Sequence, residues 1–267
     1  STVSVLALLL AACAGDVRTG ALRGTSPEGG YAALLRVADA TRANGDLPTA
    51  AGMYRRAAEL RPDLAEPHLR LGQTLNDLNA WNEAVPVLRQ ALTLDAGNAD
   101  ARRGLGNAFL SMGQPDLALP QFETALRTAT KDARLHGSLG VAHDLLGDHA
   151  AAQAAYRAGL ALTPDSTGLA NNLGLSLALA GDFPAAVEVL RPLGNSGARA
   201  RQNLALVYGL SGDATQAARV ARIDLDESAV RSNLAYYETL RAMGGRQRLA
   251  AIRARGVLPR NGEPIVE

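Results

Sequence analysis

Leu139-Gly140, within Ser138-Leu139-Gly140-Val141-Ala142, stands thirty-four residues after Leu105-Gly106 and thirty-four before Leu173-Gly174, and Leu71-Gly72 carries the same register one step earlier. With units counted from residues 31, 65, 99, 133 and 167, a small residue recurs at Ala50, Ala84, Ala118, Ala152 and Ala186. A large one follows four residues later at Tyr54, Leu88, Phe122, Tyr156 and Leu190. A second small position holds Ala57, Ala91, Ala125 and Gly159, and the unit boundary holds Pro62 and Pro164, replaced by Ala96 and Thr130. Four-residue spacing places residues on one helical face. Small residues where two helices cross, with large ones filling the gap, predict two antiparallel helices per unit. The corners are visible as well. Asn44-Gly45-Asp46, Leu146-Gly147-Asp148, Ala180-Gly181-Asp182 and Ser211-Gly212-Asp213 each offer a glycine for a left-handed helix end and an aspartate to cap the next helix. One pair alone cannot bury its apolar face, so the units must stack.

This register resembles the tetratricopeptide repeat, which implies an all-α, right-handed superhelical solenoid of about six helix pairs with a C-terminal capping helix. Bulk composition agrees. The chain is 47% hydrophobic but only 4% aromatic, a balance suited to packed helices rather than to sheets. The predicted units are 31–64, 65–98, 99–132, 133–166, 167–197 and 198–227, the sixth drawn from Asn203-Leu204-Ala205-Leu206-Val207-Tyr208. That last match requires three residues to be missing between Leu193 and Ala198, where a bend is expected. Residues 228–243 are assigned to the cap and 244–267 to a tail.

Before the repeats, Val3 to Ala12 is an apolar run too short to span a bilayer. It ends in Leu10-Ala11-Ala12-Cys13, which resembles the lipobox of bacterial lipoproteins at all four positions. The resemblance implies that residues 1–13 are an export signal and that the Cys13 thiol carries the lipid. It also implies, since Ala14 rather than Asp follows, sorting to the periplasmic face of the outer membrane. Residues 14–30, rich in Gly, Ser and Thr, are predicted to form a flexible tether. Cys13 is the only cysteine, so neither an internal disulfide nor a cysteine zinc site can form within one chain.

The C-terminal third is more distinctive than repeat periodicity requires. Ala221-Arg222-Ile223-Asp224-Leu225-Asp226, Ala229-Val230, Asn233-Leu234-Ala235-Tyr236-Tyr237 and Leu240-Arg241, with Asn171-Asn172-Leu173-Gly174-Leu175 and Arg201-Gln202-Asn203-Leu204-Ala205 upstream, resemble TadD-type lipoproteins of the tight-adherence (Flp) pilus system. The resemblance implies a non-catalytic scaffold for pilus assembly and secretion, a pilotin for the outer-membrane secretin. Two other readings stay open on the residues alone: a lipoprotein activator of a periplasmic cell-wall synthase, and a generic periplasmic protein-binding scaffold.

In such solenoids the first helix of each unit lines a concave face through unit positions 2, 5, 9 and 12. These select Asp39, Arg42, Glu66, Gln73, Asn76, Arg103, Asn107, Asp144 and Asn171, interleaved with Leu35, Leu69, Leu110, Val141 and Leu175, as candidate contacts for a protein partner. Trp81, at a corner, and one of the adjacent Tyr236 and Tyr237 are further candidates, the other tyrosine being core. With 27 basic and 26 acidic residues the net charge is +1, which provides no field for a nucleic acid. His136 and His143 lie on one helical face but at packing positions, as does His68, and with His149 they form no recognisable ligand spacing. No phosphate-cradling loop, nucleophilic triad or paired carboxylate stands out, so no catalytic residue, metal, cofactor or small-molecule substrate is expected.

Overall fold

The computed structural model describes residues 27–254; Cys13, the signal segment 1–13 and most of the tether and tail lie outside these residues. The described chain is helical throughout and contains no strand among the described residues. Six helix pairs follow one another: α1 (Pro27–Ala43) with α2 (Leu47–Leu60), α3 (Ala65–Asp77) with α4 (Trp81–Leu94), α5 (Ala99–Ser111) with α6 (Pro115–Leu126), α7 (Ala133–Leu146) with α8 (His149–Leu162), α9 (Thr167–Leu179) with α10 (Phe183–Leu190), and α11 (Ala198–Ser211) with α12 (Ala214–Ala221). Two helices end the described chain, α13 (Glu227–Ala242) and α14 (Gly245–Ala254).

The corners form as their residues dictate. Gly45, Gly147, Gly181 and Gly212 have φ of 85°, 84°, 90° and 93°, a region open to glycine at no steric cost. The aspartate after each accepts a hydrogen bond from the backbone N–H three residues on: Asp46 from Thr49, Asp148 from Ala151, Asp182 from Ala185 and Asp213 from Gln216. At the second unit Asn79, at φ 59°, replaces the glycine, and Ala80 caps α4 without a side-chain bond.

Packing follows the predicted small-to-large code. The large residues Tyr54, Leu88, Phe122, Tyr156 and Leu190 are all buried. In four units the large side chain lies against the glycine at position 8 of the first helix. A Cβ added at Gly72, Gly106, Gly140 or Gly174 would overlap Leu88, Phe122, Tyr156 or Leu190 respectively. Each helix packs on its neighbours in sequence, and successive first helices also touch. One continuous cluster thus runs from Tyr31 to Val207, as expected where contacts are made only between adjacent repeats.

Two boundaries differ from the sequence reading, and a third irregularity falls where residues were expected to be missing. Helix α1 begins at Pro27, inside the stretch assigned to the tether, because proline is favoured in a first turn whose N–H groups lack helical partners. The missing residues of the fifth unit shorten its second helix. α10 stops after eight residues, and the 3-10 turn Pro192–Asn195 replaces its last turns. Arg201 spans the gap, bonding the Gly194 carbonyl at 3.0 Å and Asp224 at 2.6 Å. Finally, the segment assigned to the tail opens with helix α14, whose Leu249 and Ile252 are buried.

Candidate protein-binding site

The first helices α1, α3, α5, α7, α9 and α11 stand side by side, and the residues chosen from sequence as partner contacts lie where these helices meet. Most of them are engaged by the next first helix. Asp39 accepts from Tyr54 Oη at 2.6 Å and is ion-paired with Arg70 of α3, which also binds Glu66 at 2.6 Å. Arg42 pairs with Asp77 at 2.6 Å. Asn76 Nδ2 donates to the Gly104 carbonyl at 2.8 Å, Asn107 accepts from Ser138 at 3.2 Å, and Asn171 accepts from Asn203 at 2.7 Å. Apart from the Tyr54–Asp39 and Arg70–Glu66 bonds, each links one unit to the next, over 28 to 35 residues of sequence.

Asp144 is the most enclosed of these groups, with 3% of its surface exposed. It accepts from Tyr156 Oη at 3.0 Å and Ser176 Oγ at 2.7 Å, and His149 Nδ1 lies 2.7 Å away. A carboxylate is tolerated there because its oxygens are bonded on several sides. Burial, with the Asp144 carboxylate second, pushes the Tyr156 hydroxyl pKa well up, so this hydroxyl stays a donor. Burial and then Asp39 push Tyr54 up to about 12. Burial raises the Asp39 pKa, but the hydrogen bonds from Arg70 and Tyr54 with the nearby positive charge outweigh it and leave it below the ordinary value.

The remaining candidates divide by position. Leu35, Leu110, Val141 and Leu175 are buried in the core, while Gln73 and Leu69 are half-buried. Arg103 binds Asp100 at 3.0 Å, and with Arg134, whose side chain is 58% exposed, it forms a charged rim at the middle of the stack. Trp81 is half-buried at its corner, its indole Nε1 lacking a hydrogen-bond partner among the described residues. Tyr237 is core, as expected of one of the pair. Tyr236 does not face outward but donates to the Ala251 carbonyl of α14 at 2.9 Å. His136 and His143 are half-buried, and among the described residues no three of His, Cys, Asp and Glu gather as metal ligands would.

The partners Arg70, Ser138, Ser176 and Asn203 were not selected from sequence. They occupy positions 6 and 10 of the unit, where an apolar residue would suffice for helix packing, and polar residues at such positions were the available signal. The face consequently changes character along its length. Positions 9 and 13 hold Asp39, Gln73, Asp77, Asn107 and Ser111, with Ala43 as the one apolar residue, in the first three units. They hold Leu175, Leu179, Leu206 and Leu210 in α9 and α11. A polar, ion-paired end therefore passes into an apolar end.

The tetratricopeptide repeat family matches residues 103–167 and 146–193, and TPR repeat matches residues 72–113. No curated protein matches the sequence. Among solved structures, Pseudomonas aeruginosa pilF superposes with a TM-score of 0.61 at 18% identity, covering 86% of this chain and 99% of its own. YrrB, a TPR protein with an unusual peptide-binding site, gives 0.55 at 22% identity, covering 67% of this chain and 96% of its own. MamA from Desulfovibrio magneticus gives 0.56 at 23% identity over 61% and 92%. At these identities the likeness is one of fold. The repeats at 72–193 are tetratricopeptide repeats, and the chain folds as a solenoid built from them.

Proposed function

We propose that this chain is a non-catalytic, protein-binding scaffold, anchored through Cys13 to the periplasmic face of the outer membrane, that serves tight-adherence pilus assembly as a pilotin for the secretin. The solenoid supports the scaffold part of this reading. Its first helices make a wall in which polar groups such as Asn107 and Asn171 are bonded to the next unit, with exposed charges such as Arg134 at the rim and a buried apolar cluster at one end. Such a wall binds by shape and local contacts rather than by long-range attraction, in keeping with a net charge of +1. The observation that carries the pilus part is the sequence between Ala221 and Arg241, which resembles TadD-type lipoproteins, standing behind Leu10-Ala11-Ala12-Cys13.

The test is crosslinking in intact membranes of the full lipidated chain, followed by identification of the partner by mass spectrometry. Recovery of a secretin subunit is expected, with loss of both capture and piliation in Cys13→Ala. Recovery of a cell-wall synthase instead would assign the scaffold to wall growth. Normal piliation of the Cys13→Ala strain would reject the pilotin role.

A further inference from the structure

Helix α14 does not sit where a second helix of a seventh unit belongs. Position 8 of each earlier first helix, from Ala38 through Gly72, Gly106, Gly140 and Gly174 to Ala205, is buried. The equivalent residue of α13, Ala235, is exposed, so its outer side is left bare. Helix α14 has instead turned to the opposite side. Leu249 and Ile252 join one cluster with Tyr237, with Ala217 of α12, and with Leu175, Leu206, Leu210 and Leu240, the last four at positions 9 and 13 of three successive first helices. Tyr236, also at position 9, bonds the α14 carbonyl of Ala251. The helix is therefore seated on the apolar end of the concave face.

Its hold there is slight for an integral element. Among the described residues, besides the two buried side chains Leu249 and Ile252, α14 is held by the bond from Tyr236 and by those of Arg248 to the Leu240 and Met243 carbonyls, both at its N-terminal end. Gly244 alone stands between Met243, which caps α13, and Gly245, the first residue of α14, and a Cβ at either glycine would meet nothing within 4 Å, so no packing demands glycine there.

We propose that α14 is a built-in, displaceable ligand, and that its seat takes an amphipathic helix of a partner protein bearing branched apolar residues three apart, as Leu249 and Ile252 are. This rests on the reading of the concave face as a protein-binding surface and adds its regulation: a partner helix must compete with α14, so affinity is lowered by the fraction of chains in which the seat is closed. The template for the partner is α14 itself, whose apolar pair and basic shoulder at Arg248 fit this end of the wall.

The test uses the full chain and a fluorescent peptide of residues 244–254. In the double variant Leu249→Asp with Ile252→Asp the seat opens, and the peptide is expected to bind it at least tenfold more tightly than the wild-type chain, by fluorescence anisotropy. A peptide carrying the same two substitutions should bind neither. Amide hydrogen exchange on the wild-type chain covers the case of a misfolded variant: α14 should exchange far faster than α13. Equal protection of the two helices, or equal peptide affinity of a folded variant and the wild type, would overturn the proposal. A concentration-dependent wild-type dimer that the peptide dissociates would overturn it too, assigning the seat to a second copy. None of these readouts involves a membrane or a secretin, so they fail independently of the pilus reading.

Discussion

A single Cβ decides much of this fold. Gly140 is closed off by the Tyr156 ring, so Gly140→Val should destabilise the chain by about 1–3 kcal/mol through overpacking, read as a lowered urea midpoint. Gly52, within α2, has nothing within 4 Å of its Cβ position. Gly52→Ala should therefore raise stability, by about 1 kcal/mol, because alanine restricts the unfolded chain and suits a helix interior. Asp144 is the polar counterpart. Asp144→Ala leaves the Tyr156 and Ser176 hydroxyls buried without their acceptor, at a cost of about 1–3 kcal/mol each. Tyr156→Phe combined with Asp144→Ala should cost less than the two changes summed, and strict additivity in a double-mutant cycle would refute the coupling.

At the level of the helix, the corners set where each element starts, and they are independent enough to be tested singly. Asp182→Ala removes the side-chain bond to the Ala185 N–H and should cost about 1 kcal/mol. Helix α4 offers the reverse experiment. Its cap, Ala80, has φ −87° and ψ 53°, close to the φ −83° and ψ 70° of Asp182, but no side-chain acceptor. Ala80→Asp should then gain about 0.5–1 kcal/mol, measured by thermal or urea unfolding; a loss would show that this corner does not accept a cap. The shortened α10 shows what an element loses when residues are deleted, and how Arg201 restores the connection by bonding both the 3-10 turn and Asp224.

Across the whole molecule, stability should depend on pH at both ends of the scale. Burial raises the pKa of Asp39 and Asp132, but bonds from arginine and neighbouring groups outweigh it, and for Asp224 the Arg201 bond leads; all three stand below the ordinary carboxylate value. The folded chain keeps these charges where the unfolded chain has taken up protons. Their contribution is therefore complete above about pH 4 and is lost as pH falls through the folded values. Tyr54 works in the other direction. Its pKa is pushed up to about 12, so between pH 10 and 12 the unfolded chain ionises first and stability falls as pH rises. Burial lowers the His68 pKa, so stability also declines as pH falls below about 7; urea midpoints flat from about pH 7 to 9 and falling on both sides are expected, the carboxylate part of the acid limb weakening in high salt because these carboxylates are partly solvated. What the sequence by itself determined was the recurring part: the thirty-four-residue register, the large side chain over each glycine, and the Gly-Asp corners. All of these act within one helix pair, where helical period and residue size suffice to predict contact. Only the tertiary structure decided which side of the wall each end presents. Asn107 and Asn171 read as free groove residues until the next first helix, more than thirty residues on, brings Ser138 and Asn203 against them. Likewise the local pattern of residues 245–254 does not say which helices Leu249 and Ile252 are buried against. The leucines of α9, α11 and α13 receive that helix, and those residues meet only once the units have stacked.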